Sequence, residues 1–176
     1  MRAVFASRNA LETRSNIGTL EYVMDVNITL APEAVAIADL ENSAQILSKL
    51  SDLFADTYAL DSVEVLDGLE QREALGSTGF GRGVAIPHCR STAVNRPTLA
   101  LLKLEQPVDF RAADAQPVSI VFGLVSPENA GATHLHALAA ISRLARDEAM
   151  LGALLDAPDA EALFALLTNQ FLRDAA

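Results

Sequence analysis

The stretch from Val118 to Val125 reads Val-Ser-Ile-Val-Phe-Gly-Leu-Val, a run with a single polar side chain. A strand so apolar must be covered on both faces, which makes it the centre strand of a sheet with a layer on either side. The flanking chain supplies those layers. Behind the capping residues Asn42 and Ser43, the apolar positions Ile46, Leu47, Leu50, Leu53 and Phe54 recur at helical spacing, so one face of this segment packs on something. Asp61 followed by Glu64 reads as a capping box for a second helix, with Val65, Leu66 and Leu69 inward and Gly76 as its stop. Further strands are expected at Val84 to Ile86, ended by Pro87, at Thr98 to Leu104, and around Val108 to Phe110. After a loop from Ser126 to Ala132, Thr133, Asp147 and Asp159 each stand where a helix cap is needed, ahead of apolar positions at helical spacing. Helices first, strands in the middle and helices last imply a sheet sandwiched between helical layers.

A chain of 176 residues is expected to form one domain and to bury roughly 70% of its unfolded surface, enough for a core without disulfides or structural metal. Cys89 is the only cysteine, so no internal disulfide exists. The 23 acidic residues outnumber the 13 basic ones for a net charge of -10, and only Lys49 and Lys103 are lysines. Such a balance argues against a nucleic-acid surface or an anionic-membrane surface. No apolar run approaches the ~18 residues of a membrane span, and the opening residues lack the apolar region of a secretory signal, so a cytoplasmic protein is expected. Residues 1–26 show no sustained periodicity and read as an N-terminal arm or extension with an early strand around Tyr22 to Val26.

Against this acidic background, residues 71–96 hold Arg72, Arg82, Arg90 and Arg96 with Glu73 as their one acid. The same window carries Gly76, Gly79, Gly81 and Gly83, which either expose consecutive N–H groups, with Ser77 and Thr78, to an anion or simply form a loop needing positive φ angles. It is not a P-loop, because Arg82 and Gly83 follow Gly81 where lysine then serine or threonine is required. Nor is it a dinucleotide fingerprint, since the run follows a helix and feeds a strand. Of the three histidines, His88 lies just past the Val84 to Ile86 strand, where open sheets present ligands, and His134 lies in the first turn of its helix. His136 projects about 200° away from His134 around that helix, so the two do not serve one site. A zinc centre from His88, Cys89 and a helix histidine lacks a second spaced cysteine pair, and a Cys89 nucleophile is matched by an inert buried thiol.

The segments Arg72-Glu73-Ala74-Leu75-Gly76-Ser77-Thr78-Gly79-Phe80-Gly81, Gly83-Val84-Ala85-Ile86-Pro87-His88 and Thr133-His134-Leu135-His136, in that order, resemble the enzyme IIA proteins of the bacterial phosphotransferase system. The likeness is to the fructose/mannitol type, especially its nitrogen-regulatory branch, and covers roughly residues 30–170, within an expected domain of residues 27–176. It implies a three-layer α/β/α sandwich with a small mixed sheet. It also implies that His88 accepts a phosphoryl group from the phosphohistidine of an HPr-type carrier. By the same resemblance His134 is the second active-site histidine, an orienting partner, and Arg72 is the arginine that stabilises the phosphate. Cys89 stands where many members have glycine.

A neutral imidazole is a competent nucleophile, and phosphoryl transfer asks for positioning and positive charge rather than a metal or nucleotide, so no cofactor is expected. Arg82 and Arg90 would steer the phosphorylated carrier to this face. The resemblance points to a regulatory switch whose downstream partners include potassium transporters or sensor kinases. Two alternatives stand beside it: a sugar-specific enzyme IIA passing phosphate to enzyme IIB, and a non-catalytic sensor module of the same fold.

Overall fold

The computed structural model describes residues 12–14, 20–23 and 28–174. In chain order these form β1 (Glu12–Arg14), β2 (Leu20–Val23), β3 (Thr29–Ala38), α1 (Ser43–Tyr58), α2 (Ser62–Ala74), β4 (Gly79–Gly81), β5 (Val84–Ala85), β6 (His88–Ser91), β7 (Thr98–Val108), β8 (Val118–Pro127), α3 (Ala132–Leu144), α4 (Glu148–Asp156) and α5 (Ala160–Asp174). The sheet runs β1-β2-β3-β7-β8-β5-β4, with β6 resuming alongside β8 where β5 leaves off. β3 is parallel to β7, β7 antiparallel to β8, and β5 and β6 parallel to β8, so the sheet is mixed.

β8 occupies the centre, as its composition requires. Val121, Phe122, Leu124 and Val125 are wholly buried, and a side chain at Gly123 would strike Leu50 and Phe54 of α1. The α1–α2 hairpin therefore packs on one face, and α3, α4 and α5 cover the other, giving the α/β/α sandwich. Lys103, near the middle of β7, bridges to the second layer by donating from Nζ to the carbonyls of Leu155 and Ala157 at the end of α4.

The cap residues read from the sequence mostly act as caps. Asn42, Asp61, Asp147 and Asp159 each accept backbone N–H groups of their helices. Two local details differ. Glu64 does not reach back to close a capping box; its carboxylate accepts from Ser91 Oγ on β6 at 2.8 Å instead. Thr133 does not cap α3, because the chain enters through Gly131 at φ 51 with no side-chain cap.

The strands depart further from expectation. β8 continues through Ser126 and Pro127, residues expected in a loop, and β7 runs on through a register shift to Val108. β3 was not expected at all, and its sequence, Thr-Leu-Ala-Pro-Glu-Ala-Val-Ala-Ile-Ala, shows why. Alanine and proline are poor strand formers, and Pro32 is accommodated where the β3–β7 register shifts between Leu30 and Val35. The gap there is closed by Tyr58 at the end of α1, whose hydroxyl accepts from Ala31 N–H and donates to the Leu99 carbonyl, both at 2.9 Å. Of the early strand expected at Tyr22 to Val26, Tyr22 and Val23 belong to β2, and the remainder lies outside the described residues.

Candidate functional site

Residues far apart in the chain meet at the C-terminal end of β8. Arg72 comes from the last turn of α2, His88 opens β6, Ser126 stands next to last in β8, and His134 sits in the first turn of α3. His88 thus lies just past the end of β5, as expected, and also starts β6: Pro87 interrupts the edge, but its carbonyl accepts from Leu124 N–H and holds β5 and β6 in one line. Parallel pairing sets His88 opposite Leu124 and Arg90 opposite Ser126.

Both ring nitrogens of His88 are engaged. Nδ1 lies 2.8 Å from the Ile86 carbonyl, which can only accept, so Nδ1 carries the proton. Nε2 therefore presents a lone pair, and it accepts from Arg72 Nε–H at 3.0 Å. Arg72 is itself held, since its Nη1 donates to the Gly76 carbonyl one turn on. The half-buried His88 has its pKa lowered from 6.5, first by loss of solvent, with Arg72 and Arg90 adding to the effect and the Ile86 bond opposing it. The ring is neutral at physiological pH, with one nitrogen available to an electrophile.

His134 is buried, and its ring centroid lies 5.5 Å from that of His88. Its Nδ1 is 2.9 Å from Ser126 Oγ. Burial, then the charge of neighbouring His88 and Arg90, lowers its pKa to about 4, so this second ring is neutral as well. Arg90 stands at the rim, exposed, its Nη1 donating to the Glu128 carbonyl. His136 faces solvent, apart from the pair, as its helical angle requires.

Within the glycine segment, several donors bind protein groups. Ser77 Oγ donates to the Phe110 carbonyl and accepts from Gly79 N–H. The N–H and hydroxyl of Thr78 both bind the Glu73 carboxylate. Gly79 is a point of close approach, because a Cβ there would lie 2.8 Å from Ala112 Cα. Gly81, Arg82 and Gly83 make the β4–β5 hairpin turn, all three with positive φ, 97°, 59° and 76°. These glycines supply the positive φ angles and the close approach that the turn requires. The N–H groups of Gly76, Thr78 and Gly79 and the hydroxyls of Ser77 and Thr78 bind protein groups.

Nor does the basic window form one patch. The Gly83 carbonyl accepts from Ser119 and Ile120 N–H near the start of β8, four positions before Leu124, or about 13 Å along a strand. Arg82 is therefore displaced from His88, and its guanidinium pairs with Glu148 at 2.5 Å. Arg72 and Arg90 are the arginines that remain at the two histidines. The buried Cys89 has its thiol pKa pushed up to about 12 by loss of solvent and by Glu64, which leaves an inert thiol. No group of His, Cys, Asp and Glu suited to a metal occurs among the described residues.

Sequence reasoning missed two groups that shape this site. Glu73 locks the turn after α2 through Thr78, and Ser126 meets His134. The signal for Ser126 was a polar side chain directly after the apolar run from Ile120 to Val125.

Residues 29–170 match the family model for the phosphoenolpyruvate-dependent sugar phosphotransferase system, EIIA 2. The nitrogen regulatory protein of Bradyrhizobium diazoefficiens is 40% identical over 145 residues, 82% of this chain and 95% of that one. The crystal structure of nitrogen regulatory protein IIA-Ntr from Neisseria meningitidis superposes with a TM-score of 0.71 at 33% identity, covering 77% of this chain and 94% of that one. The mannitol IIA of Escherichia coli, at 17% identity and a TM-score of 0.65 over 78% of this chain and 98% of that one, shares the fold.

Proposed function

Because the chain belongs to the type 2 enzyme IIA family of the phosphoenolpyruvate-dependent sugar phosphotransferase system, we propose that it is a phosphorelay protein of nitrogen-regulatory type whose phosphoryl acceptor is His88 Nε2. The observation carrying this reading is the pair of bonds that fixes the His88 ring, Nδ1–H on the Ile86 carbonyl and Nε2 on Arg72. Nε2 attacks the phosphorus of a phosphohistidine on an HPr-type carrier. A new N–P bond forms, the carrier's N–P bond breaks, and its electron pair returns to the carrier imidazole. No proton has to move, because the His88 Nδ1–H stays on Ile86 throughout. Entry of the phosphoryl group lets Arg72 Nε–H pass from the ring nitrogen to a phosphoryl oxygen, where the guanidinium offsets developing charge. His134, held neutral, orients the group from the other side, and Arg90 attracts it to the rim.

The output is a switch. Phosphorylation adds up to about two negative charges beside Arg72 and Arg90, so a protein docking on this face distinguishes the two forms by repulsion and desolvation. Exposed Leu75 and Leu135, next to the functional ends of α2 and α3, give such a partner apolar contact. Family resemblance nominates potassium transporters and sensor kinases as partners, the cytoplasm as the compartment, and residues 27–176 as the relay domain following an N-terminal extension. Among the described residues no helix is long and apolar enough to cross a membrane.

Incubation with a phosphorylated HPr-type carrier, followed by mass spectrometry, tests the relay. Wild-type protein should gain one phosphoryl group, and His88→Ala none. A wild type that gains none is the non-catalytic sensor. Presenting the phosphorylated protein to membranes with fructose or mannitol tests the output: sugar phosphate formed at the expense of phospho-His88, with no partner distinguishing the two forms, would replace the switch by sugar transport.

A further inference from the structure

The Ser126 hydroxyl is fully buried, and its sole hydrogen-bond partner among the described residues is His134 Nδ1, at 2.9 Å. A hydroxyl has one proton, and a buried O–H without an acceptor costs about 1–3 kcal/mol. If His134 carried its proton on Nδ1 and donated to Ser126, the serine proton would have no acceptor among these residues. With the proton on Nε2, Ser126 Oγ–H donates to Nδ1 and both groups are satisfied. His134 Nε2 has no protein partner among the described residues, so this arrangement leaves an N–H donor uncommitted on a ring 5.5 Å from that of His88.

We infer that Ser126 is a positioning residue that fixes His134 as its Nε2–H tautomer, so that the second histidine donates to the phosphoryl group carried by His88. The inference rests on the relay reading for its consequence, though not for the tautomer itself. The two rings are then complementary. A backbone carbonyl keeps His88 protonated at Nδ1, so that Nε2 carries the lone pair that bonds phosphorus once Arg72 passes to a phosphoryl oxygen, while a serine hydroxyl keeps His134 protonated at Nε2 and able to donate. With the opposite tautomer, His134 would turn a lone pair toward an anion and repel it. The neutral state of the ring, forced by burial, is what gives its tautomer a consequence, since an imidazolium would donate from both nitrogens.

The test combines nitrogen-15 NMR of the histidine rings with single-turnover phosphoryl transfer from a phosphorylated HPr-type carrier at neutral pH. The wild-type spectrum should show His134 protonated at Nε2. Ser126→Ala should shift it toward the Nδ1–H form and slow transfer to His88 by about tenfold or more. Ser126→Thr, which keeps the hydroxyl, should restore both tautomer and rate. A wild-type His134 protonated at Nδ1 overturns the inference without need of any variant. So does a Ser126→Ala protein with an unchanged tautomer, whatever its rate. A wild type that shows the expected tautomer but takes up no phosphoryl group refutes the relay reading while leaving the tautomer assignment in place.

Discussion

A histidine kept neutral by burial is stabilising only while its proton stays off. The folded pKa of His134, about 4, lies below its ordinary 6.5, so the unfolded chain binds the proton more readily. Its contribution is fully present above pH 6.5 and is lost as pH falls toward 4, a change on the order of 3 kcal/mol for this group alone. Denaturant titrations across that window should show stability falling steeply in the wild type and less steeply in His134→Ala; equal slopes would mean that His134 is not the group responsible. The same neutrality serves the chemistry. Because the His88 pKa also lies below 6.5, phosphoryl uptake should persist as pH drops through that value and decline only at lower pH. Uptake tracking an unshifted histidine would contradict this. His134→Ala should slow transfer by about 10²-fold, whereas His136→Ala on the exposed face should be nearly silent. Scarcity made these residues legible, since three histidines could be weighed one by one. Ser126 was not, because its meaning depends on a partner eight positions away and on the end of a strand that the sequence assigned to a loop.

At the scale of elements, the height of α2 over β6 decides where Arg72 lies. Gly68 is one turn before Arg72 on the same helix face, and a Cβ there would lie 3.0 Å from Cys89 Cβ. Cys89 and Gly68 therefore form a matched pair, the larger residue on the strand met by the smaller one on the helix. Gly68→Ala should push α2 outward and carry Arg72 off His88, slowing phosphoryl transfer by about tenfold. Adding Cys89→Gly should recover most of that loss, as a double-mutant cycle in transfer rate would show; strictly additive effects would contradict the pairing. The helices announced themselves through caps and apolar spacing, and four of the cap residues act as read. β3 gave no such signal, because alanine and Pro32 conceal a strand whose backbone is completed by Tyr58 from another element. The glycine run was recognisable as a motif, yet its purpose was not. Close approach of Gly79 to Ala112 and positive φ at Arg82 and Gly83 are properties of the assembled fold, and no local pattern separates them from an anion loop.

For the molecule as a whole, sequence proximity misled about charge. Four arginines within one window read as a single island, but the sheet carries Arg82 to the opposite end of β8 and into an exposed pair with Glu148, a pair worth at most about 1 kcal/mol. Arg82→Ala should accordingly leave phosphoryl uptake unchanged within about twofold, while Arg90→Ala should slow it, most clearly at low ionic strength. The reverse order would restore the island. What remains at the histidines is Arg72 and Arg90 on an otherwise acidic protein with net charge -10, a compact positive target for one doubly charged group. The two hydrogen bonds of His88 specify which of its nitrogens accepts the phosphoryl group. The direct measurement is phosphorus-31 and nitrogen-15 NMR of the protein after transfer from a phosphorylated HPr-type carrier. A single phosphohistidine on His88, with phosphorus on Nε2 and the proton retained on Nδ1, is the predicted result; phosphorus on His88 Nδ1 or on His134 would contradict it.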